Sequence, residues 1–182
     1  MGDICLKHAV ITVSDEIHGD FVWENNSQTV FTSLGEQYEQ NCVICTAPSK
    51  TFNIAGLQVS NIFIPNKNLR RRFRKQVAAA GYSQVNTLGL VACQAAYTYG
   101  EDWLQQAKAY IENNIKFVDA YLKQNLPQIK LLRPEGTYLI WLDGGGIFGK
   151  EGEAFERINV ACPRTLLLQG LEQLKQAVHE LN

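Results

Sequence analysis

The tightest constraint on the fold is the run Ala9-Val10-Ile11-Thr12-Val13, rich in β-branched residues and stopped by Ser14-Asp15-Glu16. A strand with one wet face alternates apolar and polar residues, because successive side chains point to opposite faces. A run without that alternation is expected where both faces are covered, as in the middle of an α/β sheet. Cys42 to Thr46 is a second short apolar strand, ending at Ala47-Pro48-Ser49-Lys50, and Leu57 to Ile64 is a third, closed by Pro65-Asn66. Only about ten residues link the second and third, which is marginal for a parallel crossover. Those two strands are therefore expected to run antiparallel, making the sheet mixed.

Gly2 to Lys7 reads as the tail of a helix, and Glu24 to Ser33 as loop. Leu69 to Ala80 is a basic helix ending at Gly81. Ser83 can cap a helix running to Tyr99, with Gly100 as its stop. Asp102 to Asn125 carries Leu104, Ala107, Ile111, Ile115, Val118 and Leu122 at helical spacing, with Pro127 beyond it. Strands follow over Thr137 to Leu142 and Phe155 to Val160, and Pro163 opens a last amphipathic helix to Leu181.

Composition removes several function classes. The 182 residues are 46% hydrophobic, enough for a real core, and 17 Lys+Arg against 18 Asp+Glu leave a net charge of -1. That balance argues against nucleic-acid binding driven by bulk charge. No apolar run approaches the roughly 18 residues of a membrane span. The polar start, Met1-Gly2-Asp3-Ile4-Cys5, does not read as a secretory leader. Five cysteines, an odd number beside an ample core, read as reduced thiols, which suits the cytoplasm.

Three motifs invite chemistry and are set aside. Cys42-Val43-Ile44-Cys45 has the spacing of a metal pair, but on a strand residues three apart face opposite ways, so no metal site is expected. Gly144-Gly145-Gly146-Ile147-Phe148-Gly149 satisfies the dinucleotide pattern, yet it leads into a strand and not into the helix that pyrophosphate needs. Arg70-Arg71-Arg72-Phe73-Arg74-Lys75 is expected to fan around a solvated helix face.

Asp15 and Lys50 are more informative. Each sits just past the carboxyl end of an apolar strand, where α/β sheets place their ligand crevice. On spacing alone they could equally be a buried ion pair. Their surroundings, Val13-Ser14-Asp15-Glu16-Ile17-His18 and Ala47-Pro48-Ser49-Lys50-Thr51-Phe52-Asn53-Ile54-Ala55-Gly56, resemble the aspartate and lysine signatures of fold-type I pyridoxal-phosphate enzymes. With Arg157-Ile158-Asn159-Val160-Ala161-Cys162-Pro163-Arg164 they look like the cystathionine β-lyase-like carbon–sulfur lyase branch of the class I and II aminotransferases.

The resemblance implies the C-terminal half of such a protein. Residues 1–100 would be part of the mixed, mostly parallel sheet of the large, cofactor-binding domain. Residues 101–182 would form a long linking helix and a reduced α+β small domain. It implies pyridoxal 5'-phosphate as cofactor, with Lys50 as the amine that meets its aldehyde and Asp15 as partner of the ring nitrogen. His18 would lie near the phenolic oxygen, and Ser49 and Thr46 near the phosphate. Arg157 would grip the substrate carboxylate; Arg164, its competitor, falls in the first turn of the final helix. The implied reaction is α,β-elimination on cystathionine or cysteine-like thioethers, giving a thiol, pyruvate and ammonia. Transamination would need the same residues. Relatives form homodimers and act on small amino acids, with no nucleic acid or membrane involved. They are about twice as long, and they carry a few dozen further residues between the strand ending at Leu142 and Phe155. A shortened chain of this kind is expected to expose sheet edges and apolar surface, and to turn over little substrate alone.

Overall fold

In the computed structural model, which describes residues 1–82, 84–143 and 155–180, the chain divides into two units. The first comprises Met1–Asp20 and Ser27–Leu104, the second Phe21–Asn26 and Gln105–Asn182.

The first unit starts with a short helix α1 (Gly2–Lys7) and strand β1 (Thr12–Asp15). A one-turn helix α2 (Glu36–Glu39) leads to strand β2 (Cys42–Thr46), which lies parallel to β1 with Thr12 opposite Cys42 and Asp15 opposite Cys45. After the one-turn helix α3 (Pro48–Thr51), strand β3 (Asn61–Phe63) runs antiparallel to β2, as the short link required. Helix α4 (Lys67–Ala79) is capped by the side chain of Asn66, which accepts from the amides of Asn68 and Leu69. Arg71, Arg72, Arg74 and Lys75 lie exposed on it, while Arg70 donates to the carbonyls of Ile64 and Pro65 at 2.6 and 3.0 Å. Helix α5 (Thr87–Tyr99) ends at Gly100 as expected. Its cap is Asn86, whose side chain accepts from Leu88, three residues beyond the expected Ser83, which lies outside the described residues.

Two expectations need correction. Strand β1 is an edge of the β1-β2-β3 sheet and not its middle, and Val13 is 65% exposed. The unalternating run reports a surface built to be covered, and among the described residues no strand pairs with its outer edge. The third strand is shorter than its apolar run because Ala55–Leu57 forms a 3-10 turn and Gln58 takes a left-handed φ of 52°. Apolar side chains also stand exposed on α5, including Leu88 at 69% and Val91 at 60%.

Helix α6 (Glu101–Asn125) passes from the first unit into the second. In the second unit, β4 (Leu131–Leu132), β5 (Leu139–Asp143) and β6 (Phe155–Asn159) form an antiparallel sheet, followed by α7 (Arg164–Glu180). The core joins Ile111, Ile115, Val118 and Leu122 of α6 to Ile140 and Leu142 of β5 and to Leu167 and Leu171 of α7. The apolar spacing on α6 was therefore a reliable guide. Phe21 to Asn26, read partly as loop, is instead pinned here. The Trp23 indole donates to the Thr137 carbonyl at 2.6 Å, and Val22 bridges Gly136. The Gly144–Gly149 motif lies outside the described residues. No helix among them is long and apolar enough to cross a membrane.

Candidate functional site

Parallel pairing brings the carboxyl ends of β1 and β2 to the same edge of the sheet, the side on which α/β folds gather ligand-binding residues. Asp15 is the last residue of β1 and lies opposite Cys45, so both side chains project to one face. Electrostatics agree: burial pushes the Cys45 thiol up, and the Asp15 carboxylate adds to it. The Cys42 thiol is pushed up by burial and then by Glu39 and Glu16, groups of the other face. The two cysteines thus sit on opposite faces, as the strand period requires.

Beyond Asp15 the chain turns back on itself. The Ile17 amide donates to Asp15 Oδ1 at 3.2 Å and the Gly19 amide to the Glu16 carbonyl at 2.9 Å. Glu16 Oε1 accepts from the Ser14 hydroxyl and the Phe31 amide, each at 2.9 Å. These bonds hold the loop that presents His18, which is partly buried. Burial lowers the His18 pKa below 6.5, the Lys50 ammonium lowers it further, and the Asp15 carboxylate opposes both. Lys50, His18 and Asp15 therefore share one electrostatic neighbourhood within the first unit.

Lys50 itself is exposed on α3, a single turn with Pro48 in its first position and no side-chain cap. The residues after it anchor the turn. The Thr51 hydroxyl donates to Asp20 Oδ2 at 2.6 Å, and Phe52 packs edge-on against Tyr97 at 5.7 Å and tilted against Trp103 at 6.1 Å. Ser49 is half-buried on the same turn. Thr46 lies on the opposite face of β2 from Asp15, beside Ile44, and lines a cavity of about 460 Å³ with Glu16, Glu39 and Phe63. Neither Lys50 nor Asp15 lines that cavity.

In the second unit, Arg157 lies on β6 opposite Trp141, and its side chain is exposed. Arg164 heads α7 as its position after Pro163 suggested, and its guanidinium is engaged. It lies 4.3 Å over the Phe117 ring, and its Nε donates to Asn114 Oδ1 at 2.8 Å. Sequence reasoning missed two polar groups, Asn114 and the Asp20–Thr51 pair. Both sit at ordinary polar positions, and only burial and a partner distant in sequence single them out.

The His18 environment has a stability consequence. Its folded pKa lies below the unfolded value of 6.5, so between the two the unfolded chain binds more protons. Its contribution to stability is complete above the unfolded value and is lost as pH falls through the folded one. On going from about pH 7.5 to about pH 5.5, the urea midpoint of the wild type is expected to fall further than that of His18→Gln. Equal falls would contradict the stated environment.

A family model described as aminotransferase class I and II matches residues 1–167. Cystathionine beta-lyase PatB of Bacillus subtilis strain 168 is 37% identical over 202 aligned residues, covering 98% of this chain and 52% of PatB. The crystal structure of cystalysin from Treponema denticola, which contains a pyridoxal 5'-phosphate cofactor, superposes with a TM-score of 0.93 at 37% identity, covering 100% of this chain and 52% of cystalysin. A PLP-bound putative aminotransferase from Clostridium difficile 630 gives 0.92 at 36% identity, covering 97% of this chain and 52% of its own. The chain spans about half the length of the curated relatives it matches. An alignment of 202 positions against a chain of 182 residues also means that PatB carries residues with no counterpart here.

Proposed function

Because the chain belongs to the class I and II aminotransferase family, we propose that it supplies the lysine half of a pyridoxal 5'-phosphate site in a carbon–sulfur lyase. The supporting observation is that parallel pairing brings the strand ends before Asp15 and Lys50 to one side of the sheet, where both charges act on His18. That donor set fits the cofactor: an amine on a fixed turn, a carboxylate on the neighbouring strand, and the Ser49 hydroxyl beside the amine.

Bound there, pyridoxal phosphate would supply an aldehyde for condensation with an amine and a ring that accepts an electron pair. Lys50 Nζ would be the amine that meets the aldehyde and the base that takes the substrate α-proton. Asp15 would be the carboxylate that keeps the ring nitrogen protonated. His18, kept neutral near pH 7 by burial and by Lys50, can share a hydrogen bond with the phenolic oxygen without adding a charge. Ser49 is the hydroxyl proposed for the phosphate, whereas Thr46 faces the other side of β2, away from Asp15. Arg157 is proposed for the substrate carboxylate, because a guanidinium fork grips a carboxylate through two parallel bonds. Arg164, the competitor, heads α7, where Asn114 and Phe117 hold it.

With the substrate so held, loss of the α-proton and departure of the thiolate from the β-carbon would break the carbon–sulfur bond. Hydrolysis of the remainder gives pyruvate and ammonia. The proposed substrates are cystathionine and related cysteine thioethers, and the full-length protein is proposed to be a cytoplasmic homodimer. This chain alone, spanning about half the length of its relatives, is proposed to turn over little or no substrate.

The test is a visible absorption spectrum with added pyridoxal phosphate. A band absent from Lys50→Ala supports the site, and identical spectra contradict it. Analysis of products from the full-length protein separates lyase from transaminase, since only elimination releases the sulfur. A robust pyruvate-forming rate from this chain alone would contradict its partial character.

A further inference from the structure

The one-turn helix that carries Lys50 is too short to fix its own orientation. It spans Pro48–Thr51 and has no side-chain cap. A lysine on such a turn can sweep a wide arc, because its four-carbon stem is flexible. Pro48 is buried and the Ile54 amide donates to the Ser49 carbonyl at 3.1 Å, and the next side chain adds a tie to a distant segment. Thr51 is 2% exposed, and its hydroxyl donates to Asp20 Oδ2 at 2.6 Å across a separation of 31 residues. Asp20 closes the same loop that presents Asp15 and His18, two residues beyond His18. The bond therefore ties the lysine's turn to the loop that follows Asp15 and carries His18.

We propose that Asp20 and Thr51 are a positioning pair, setting the direction of the Lys50 side chain toward the His18–Asp15 loop. This deepens the reading of Lys50 as the reactive amine and rests on it. Neither residue is proposed to touch the substrate or the cofactor. The geometry suits a locator. Thr51 is buried and β-branched, so its own rotamer is restricted, and a hydrogen bond to a carboxylate is stronger than one between neutral groups. Asp20 is exposed on its other side, so water can satisfy its remaining acceptor capacity. Phe52, packed against Tyr97, anchors the far end of the same turn.

His18 provides a readout that needs neither cofactor nor turnover. The charges acting on it include Lys50, which lowers its pKa, and Asp15, which raises it, with Glu16 and Asp20 two residues away on either side. The experiment is an NMR titration of the His18 ring in the full chain. The measured quantity is the rise in its pKa when Lys50 becomes Met, obtained in wild-type, Thr51→Val, Thr51→Ser and Asp20→Ala backgrounds. A double-mutant cycle of this kind cancels the direct effect of each background on His18.

The increment is expected to fall to less than about half in Thr51→Val and in Asp20→Ala, and to persist in Thr51→Ser, which keeps the hydroxyl. Asp20→Ala probes the same bond from its exposed side, so the test survives if Thr51→Val does not fold. An undiminished increment in both backgrounds would overturn the positioning role while leaving Lys50 as the amine. No increment in the wild type itself would overturn the reading of Lys50 as well, because the two groups would then not be neighbours.

Discussion

Asn114→Ala is expected to destabilise the second unit by about 2–4 kcal/mol, since each buried partner left unpaired costs about 1–3 kcal/mol. Asn114 is 0% exposed on α6, and both N–H donors and the oxygen of its side chain are engaged. Its amide donates to the carbonyls of Val160 and Cys162 at 2.7 and 2.9 Å, and its oxygen accepts from Arg164 Nε at 2.8 Å. Alanine would strip the partner from the carbonyl of Val160, a residue that is itself 0% exposed, and would leave a void. Asn114→Asp makes the mechanism specific. It keeps an acceptor for Arg164 but turns two donors into an oxygen facing two carbonyl oxygens. It is therefore expected to be destabilising as well, despite its matched size. Urea unfolding followed by circular dichroism reads both. A loss below about 1 kcal/mol for either variant would mean that water replaces the bonds.

Gly100→Ala is expected to have the next largest effect, about 2–3 kcal/mol, for a steric reason. A Cβ at this position would stand 2.4 Å from the Ala96 carbonyl oxygen and 2.5 Å from the Phe52 ring. The carbonyl belongs to the backbone of α5 and accepts the Gly100 amide at 2.8 Å, so it cannot retreat without breaking the end of the helix. Phe52 could move only by leaving Tyr97 and Trp103, two residues after Lys50. The variant should therefore lose both stability and the Lys50 contribution to the His18 titration. Thermal unfolding measures the first effect. A melting temperature equal to the wild type would show that the close approach is relaxed at no cost.

The sequence made the period-governed parts of this fold legible. Cys42 to Thr46 emerges as a strand with unchanged boundaries, and the apolar residues spaced along α6 are the ones that go inside. The antiparallel turn of β3 followed from the length of a link. The errors arise where a local pattern encodes something not local. Val10, Ile11 and Val13 read as the centre of a sheet, yet they lie exposed along its edge among the described residues. Their chemistry records a covering layer, and the sequence of the strand cannot say which residues provide it. Asn86 displaced Ser83 as a cap because either residue type can accept from a helix amide, and the register of α5 decides between them.

The candidate site was legible unevenly. Asp15 and Lys50 stand out because polar residues ending apolar strands are conspicuous, and parallel pairing then brings their strand ends to one edge. Thr46 was harder to read. It belongs to the same strand end, but its face is set by the two-residue period, which puts it away from Asp15. Asp20 and Thr51 carried no local signal. Their significance lies in a single hydrogen bond across 31 residues, visible only once the loop and the turn are folded together.

The most direct test of the central claim is borohydride reduction of the chain with stoichiometric pyridoxal phosphate, followed by peptide mapping. Label concentrated on Lys50, and lost from that peptide without redistribution in Lys50→Ala, is the result expected of an amine placed beside Asp15 and His18. Label spread over surface lysines such as Lys67, Lys108 and Lys123, with Lys50 no more modified than they are, would contradict it.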